Sequence, residues 1–238
     1  MALYDIAGLK VELDFEYSFS KKLAENYLSD EQSLAPDISI KVTESDYDRL
    51  RMLPGFEENK DACEYALAGS NFHRKILDFN AIMLHSSAVV VDDKAYLFSA
   101  KSGTGKSTHT SLWLSLLGER AYIINDDKPI IRCFDEGIYV YGSPFSGKNF
   151  INANKRARVG AICFIERSKE NWIKQIKTAE ILPLFLEQTP LKLDAETTKN
   201  MLSVIDNVLR EVKVYKMGCN MDVSAAKLAF ETMSGAVM

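Results

Sequence analysis

The chain has 238 residues, 47% of them hydrophobic and 26% charged, with a formal net charge of −4. That composition suits a soluble globular protein with a full core, built as one large domain or as a small domain joined to a larger one. The acidic balance gives no general attraction to nucleic acid or to an anionic membrane, and no apolar run approaches the roughly eighteen residues of a membrane span. The opening Met1-Ala2-Leu3-Tyr4-Asp5 lacks the basic start of a secretory signal. Cys63, Cys133, Cys163 and Cys219 are far apart and form no Cys-x-x-Cys pair, so they read as buried thiols of a reducing cytoplasm.

In chain order, residues 1–71 read as a small α/β module. Leu9–Leu13 and Ile38–Val42 alternate like strands with one wet face. Ser20–Leu28 between them suits a short helix capped by Ser18 or Ser20. Leu53-Pro54-Gly55 opens a loop, and Glu57–Lys60 is charged and solvated. Asn71–Met83 then reads as a helix with Ile76, Leu77, Phe79 and Ile82 among its apolar positions. Nothing in the module names a chemistry; its expected role is to shield the core or present a substrate.

Residues 72–238 carry the chemical signals. His85–Val91 and Ala95–Phe98 are β-rich runs around Asp92-Asp93-Lys94, a hairpin turn. A two-residue turn at Asp92-Asp93 sets Val91 against Lys94 and His85 against Ala100, whereas a three-residue turn moves the partner of His85 to Lys101. Either register brings His85 to the segment Ala100-Lys101-Ser102-Gly103-Thr104-Gly105-Lys106-Ser107. This segment fits the phosphate-binding loop, with Ala100 in place of the usual first glycine. Gly103 and Gly105 allow the tight turn that points backbone N–H groups at phosphate oxygens. Lys106 adds a mobile charge for the β- and γ-phosphates, and the Ser107 hydroxyl can ligate Mg²⁺. A helix over Ser107–Leu117, stopped by Gly118, adds its positive end.

The strand Ala121–Ile124 leads into Asn125-Asp126-Asp127-Lys128-Pro129. Carboxylates at a strand's carboxyl end suit catalysis: one can hold Mg²⁺ while the other accepts a proton from an attacking hydroxyl. The competing reading is a surface turn. Arg132–Gly142 reads as a hairpin turning at Asp135-Glu136-Gly137, and Gly142–Lys148 as a second glycine-bearing loop. Through Lys148, with Arg156 and Arg158 following, that loop could clamp the transferring phosphate, or it could be solvated surface. Val159–Ile165 is a continuous apolar run and so a central strand. The remainder is mostly helical: Ala179–Gln188 interrupted by Pro183, and Asp194 capping a helix to Glu211 with a stripe of Met201, Leu202, Ile205, Val208 and Leu209. A strand follows at Val212–Met217, then a helix Val223–Met233 capped by Asp222.

His85 before a hairpin, SGTGKST at Ser102–Thr108 and NDDKP at Asn125–Pro129 resemble the HPr kinase/phosphorylase and phosphoenolpyruvate carboxykinase superfamily. Asp126 follows Lys106 by only twenty residues, close to that group's short spacing. The wider run from His85 to Trp113, with GSPFSGK and CNMD at Cys219–Asp222, is similar to a bacterial HPr kinase-like group. The resemblance implies a P-loop kinase core with a mixed sheet and covering helices, Mg²⁺, and ATP or GTP as donor. It implies a phosphate site formed by Lys101, Ser102, Gly103, Thr104, Gly105, Lys106, Ser107 and Thr108, and a catalytic role for His85, Asp126 and Asp127. Thr108 stands where HPr kinases usually have Glu, as in carboxykinases, but the chain is far shorter than a carboxykinase. The expectation is therefore a cytoplasmic kinase acting on a hydroxyl acceptor, with a serine of a peptide or protein in view. The rival is a nucleotide-binding sensor or recruitment module, and a homo-oligomer is compatible with either.

Overall fold

The computed structural model describes residues 1–52, 59–189 and 193–237. The expected turn at Leu53-Pro54-Gly55, with Glu57 and Glu58 of the charged stretch after it, lies outside the described residues.

β1 (Ala2–Ile6) and β2 (Leu9–Asp14) form an antiparallel hairpin, and β3 (Ile38–Lys41) adds to β2 in parallel. α1 (Ser18–Ala24) runs into a 3₁₀ turn over Glu25–Tyr27; its cap position is Tyr17, so neither Ser18 nor Ser20 is the N-cap. α2 (Glu44–Arg51) starts from a capping box between Thr43 and Asp46. α3 (Lys60–Lys75) begins where the Asn59 side chain accepts the N–H of Ala62. A 3₁₀ turn over Ile76–Phe79 and left-handed Asn80 (φ 54°) then lead into β4 (Ala81–Met83). This corrects the helix expected over Asn71–Met83. Asn adopts the left-handed conformation more readily than most residues and breaks the helix there, and a short buried strand has no periodicity to set it apart from a helix. The boundary expected at residue 71 falls inside α3, whose Ala68 and Phe72 share one core cluster with β1, β2, Met83, Ile130, Tyr141 and Phe145.

The larger sheet uses β5 (Ser86–Val91), β6 (Lys94–Ser99), β7 (Ala121–Asp127), β8 (Ile130–Phe134), β9 (Gly137–Tyr141), β10 (Arg156–Arg167), β11 (Trp172–Gln175) and β12 (Lys213–Cys219), with β4. Its order is β4-β8-β9-β10-β6-β5-β7, and β12 pairs with both β10 and β11. β10 is the central strand expected: it pairs in parallel with β6 and with β12, and its first residues pair antiparallel with β9. α4 (Lys106–Leu117) and α7 (Val223–Ser234) cover one face around Trp113 and Phe230. α5 (Thr178–Glu187) and α6 (Ala195–Glu211) cover the other around Phe185, Val204 and Val208. The fold is thus the mixed α/β sheet with covering helices that was expected, plus a small separate N-terminal sheet. Among the described residues no helix is long and apolar enough to cross a membrane, and the four cysteines are free.

Two helical details differ from expectation. Pro183 does not interrupt α5, which is continuous through it. Its lost bond falls on the carbonyl of exposed Ala179, where water can substitute. On α6 the buried stripe is Met201, Val204, Ile205 and Val208, while Leu202 is exposed. Asp194 and Asp222 cap α6 and α7 as expected, accepting from the N–H groups of Thr197 and Ser224.

Candidate active site

β6, β7 and β10 all run in the same direction, because β5 is antiparallel to both β6 and β7. Their carboxyl ends therefore meet on one side, where ligands of α/β sheets collect. The β5–β6 hairpin closes through Asp92 and Asp93, both left-handed (φ 47° and 65°), as a two-residue turn. Val91 pairs with Lys94 and Ser86 with Ser99, which sets His85 opposite Ala100. The phosphate-loop segment follows, with Gly103 at φ 76° and Gly105 at φ 122°. A side chain would strain both positions. Lys101, Ser102 and Gly103 are exposed, Thr104 and Gly105 half-buried, and Ser107 and Thr108 exposed on the first turn of α4. Lys106 instead is buried: its ammonium donates to the Ala100 carbonyl at 3.2 Å and lies 2.9 Å from His85 Nε2.

β7 runs on to Asp127, beyond the strand expected, and brings both carboxylates to the loop. The Ser107 hydroxyl donates to Asp126, 3.0 Å from each carboxylate oxygen. Asp127 Oδ1 lies 2.9 Å from His85 Nε2, and His85 Nδ1 lies 3.0 Å from Gln188 Oε1. A proton on Nδ1 suits that last contact. Nε2 then accepts from Lys106 when the ring is neutral and donates to Asp127 when it is charged. Burial lowers the Lys106 pKa, against the opposing pull of Asp127 and Asp126. Burial would raise Asp127, but its hydrogen bond to His85 and the charges of His85, Lys128 and Lys106 outweigh it, so the carboxyl sits below its ordinary range. Asp127 therefore stays ionised at neutral pH.

Asp127 is also left-handed, at φ 102°, a conformation that costs a non-glycine residue on the order of 1–3 kcal/mol. The loop Gly142–Lys148 holds the backbone there. The Gly147 N–H donates to the Asp126 carbonyl at 2.7 Å. The Asn125 amide donates to the carbonyls of Ser143 and Phe145, and the Asp126 N–H to Ile151. A Cβ on Gly147 would lie 3.0 Å from Asp127 Cβ, so any side chain there presses on Asp127, which must give by a few tenths of an ångström.

The structure thus brings together His85, the loop from Lys101 to Thr108, Asp126 and Asp127. Lys148 is exposed on the loop packed against the carboxylates. Arg156 and Arg158 are elsewhere: they sit at the far end of β10, against Tyr139 and Gly137. Arg167, at the near end, is the β10 arginine that reaches the loop, donating to the carbonyls of Gly103 and Thr104. Gln188 and Glu187 were not read from the sequence either. Glu187 pairs with Lys101 at 2.8 Å, and the Gln188 backbone accepts the His85 N–H. Only the end-of-strand position of Arg167 gave any signal in the sequence. A cavity of about 300 Å³ opens beside the loop between β10 and α5, lined by Ala100, Thr104, Phe164, Arg167, Leu184 and Gln188.

Among the described residues no three His, Cys, Asp or Glu side chains converge on one metal position. The donors present, the Ser107 hydroxyl with Asp126 and neighbouring Asp127, fit Mg²⁺, which takes few protein ligands and completes its shell with water and phosphate oxygens. No family model matches the chain, and no curated protein matches it. Among solved structures it is similar to the Hpr(Ser) kinase/phosphatase from Coxiella burnetii, at 11% identity and TM-score 0.37, over 64% of this chain and 93% of that one. A likeness at that level carries no argument about family or activity, so function is argued from the residues.

Proposed function

We propose that the protein is a Mg²⁺-dependent kinase that moves the γ-phosphoryl group of ATP or GTP onto a hydroxyl acceptor, with a serine of a peptide or protein as the acceptor class. The observation that carries this reading is the division of labour between the two carboxylates. Asp126 faces the loop hydroxyl of Ser107, and Asp127 faces His85 and Lys106. A pure binding module needs the loop alone; a second, ionised carboxylate held in a strained backbone is the equipment of a reaction.

Ser107 and Asp126 would hold Mg²⁺, which supplies charge neutralisation on the β- and γ-phosphate oxygens. Lys106 has donors that can turn from the Ala100 carbonyl to the phosphates. The loop N–H groups and the start of α4 bind the same anion. Asp127 accepts the acceptor's hydroxyl proton as the new oxygen–phosphorus bond forms and the bond to the leaving β-phosphate oxygen breaks. His85 can share that proton through Nε2 and, when charged, steady the transferring group. Lys148 stands ready at the rim for the same charge.

The test is incubation with γ-labelled ATP and GTP and a cell extract separated into small molecules, peptides and proteins. Label should pass to an acceptor with the wild type and not with Asp127→Asn. A protein that binds a fluorescent nucleotide but transfers no label to water or to any fraction would be the sensor instead.

A further inference from the structure

The N-terminal module presents one helix, α3, directly to the loop that holds the carboxylates. The Tyr65 hydroxyl, inside the module, receives the Ser146 N–H at 2.7 Å and faces the carbonyls of Pro144 at 3.1 Å and Ser146 at 3.2 Å. One side-chain oxygen thereby ties three backbone groups of the loop. Phe145, 1% exposed, plugs into α3 between Tyr65, Phe72 and His73, with ring centroids 5.6, 5.7 and 5.8 Å away. Phe19 of α1 and Phe150 close over the Tyr65 ring. The next residue after Ser146 is Gly147, whose N–H holds the Asp126 carbonyl and whose bare Cα lets Asp127 approach. The chain of contact from Tyr65 to the carboxylates is therefore two loop residues long, with one hydrogen bond at each end: Tyr65 to Ser146, and Gly147 to the Asp126 carbonyl next to Asp127.

We infer that α3 is a positioning element of the active site, with Tyr65 as its positioning residue, so that the N-terminal module sets the geometry of Asp126 and Asp127 rather than only covering the core. The role rests on the kinase reading of the site. Asp127 at φ 102° relaxes unless its surroundings over-determine it. Of those surroundings, α3 bears on the loop bond from Gly147 through Tyr65 and on the Asn125–Phe145 bond through the Phe145 ring. Without the Tyr65 hydroxyl, the N–H of buried Ser146 is left unpaired and the loop has reason to shift. The nucleotide loop meets the carboxylates through Ser107 and Lys106 and makes no hydrogen bond to Tyr65, Ser146 or Gly147, so a change at Tyr65 reaches Asp126 and Asp127 by a separate route.

Tyr65→Phe removes the hydroxyl and keeps the ring in its aromatic cluster; Gly147→Ala perturbs the same contact from the loop side. Three quantities are measured on the full chain: fluorescent-ATP affinity without metal, Mn²⁺ affinity of the nucleotide-loaded protein by electron paramagnetic resonance, and kcat for phosphoryl transfer. Both variants should keep nucleotide affinity within about twofold while Mn²⁺ affinity falls at least about fivefold and kcat about tenfold, the latter corresponding to ~1.4 kcal/mol in the transition state. Variants that lose only thermal stability, with Mn²⁺ affinity and kcat unchanged, overturn the inference and leave α3 a packing surface. A wild type that binds nucleotide and Mn²⁺ but transfers nothing refutes the kinase reading alone, and the Mn²⁺ comparison still judges α3. A wild type that takes no Mn²⁺ with nucleotide overturns both.

Discussion

Asp127→Asn isolates the charge of the proposed base from its shape. The backbone decides the choice of substitution. Asp127 sits at φ 102°, where Asn is tolerated as well as Asp, whereas Ala would add strain of its own. The amide can keep a contact with His85 Nε2, 2.9 Å away, so the ring stays in place while the negative charge is lost. Asp127 is held ionised by His85, Lys128 and Lys106 against its burial, and the amide cannot take the hydroxyl proton at any pH. General-base loss costs about a hundred- to ten-thousand-fold in rate. The Ser107–Asp126 pair and the loop glycines are untouched, so nucleotide affinity should stay within about threefold on the same reasoning. Asp126→Asn should behave differently, raising the Mg²⁺ concentration needed for half-maximal rate. The assay is single-turnover transfer of labelled phosphate over a Mg²⁺ titration. Equal rates for Asp127→Asn and wild type at saturating Mg²⁺ would refute the division of roles.

Three further outcomes follow from the same geometry. Lys106 is a buried cation whose pKa burial lowers, so its charge works against folding at neutral pH; Lys106→Met should abolish triphosphate binding while stability to denaturant is unchanged or higher, and a loss beyond about 2 kcal/mol contradicts this. His85→Ala should cut transfer by more than about tenfold with a smaller fall in nucleotide affinity, read from kcat and a direct binding curve; full activity would make the histidine structural. Burial, with a smaller push from Lys128, drives the His73 pKa down to about 3, and burial drives His109 down to about 4, so both stay neutral in the fold while the unfolded chain protonates them below 6.5. Their folded pKa values are depressed, so stability is lost as pH falls from 6.5 towards 4, by up to ~1.4 kcal/mol per pH unit for each histidine. Urea unfolding between pH 6.5 and 5 measures the slope, which His109→Gln should roughly halve; an unchanged slope in that variant would contradict it.

What the sequence revealed of the site was local. Either turn length read at Asp92-Asp93-Lys94 brings His85 to the loop, and the structure takes the two-residue one, with both aspartates left-handed. The loop motif and the Asp126-Asp127 pair are likewise contiguous, and α6 and α7 announce themselves by their capping aspartates. β1 went unread although Leu3, Tyr4 and Ile6 are buried, because five residues ending at Ala7-Gly8 offer little pattern. Asn59 and Asn80, which bound the helix and turn between them, are polar residues whose role depends on a backbone angle invisible in one sequence.

The residues that sequence reasoning could not reach share a physical property: each meets its partner far along the chain. Gln188 meets His85 across 103 positions and Tyr65 meets Ser146 across 81. Neither belongs to a motif, since any suitably placed acceptor or hydroxyl would satisfy the same bond. The residues that bind phosphate are constrained by the chemistry of the ligand and so recur in recognisable order. Those that aim them are constrained only by where the fold happens to bring a partner. That asymmetry explains why Arg156 and Arg158 looked attractive in the sequence and Arg167 did not. Their charge was legible, but which end of β10 faces the loop was decided by the parallel pairing of β10 with β6. The direction of that one strand carries Arg167 to the carbonyls of Gly103 and Thr104 and leaves the other two arginines at the opposite edge.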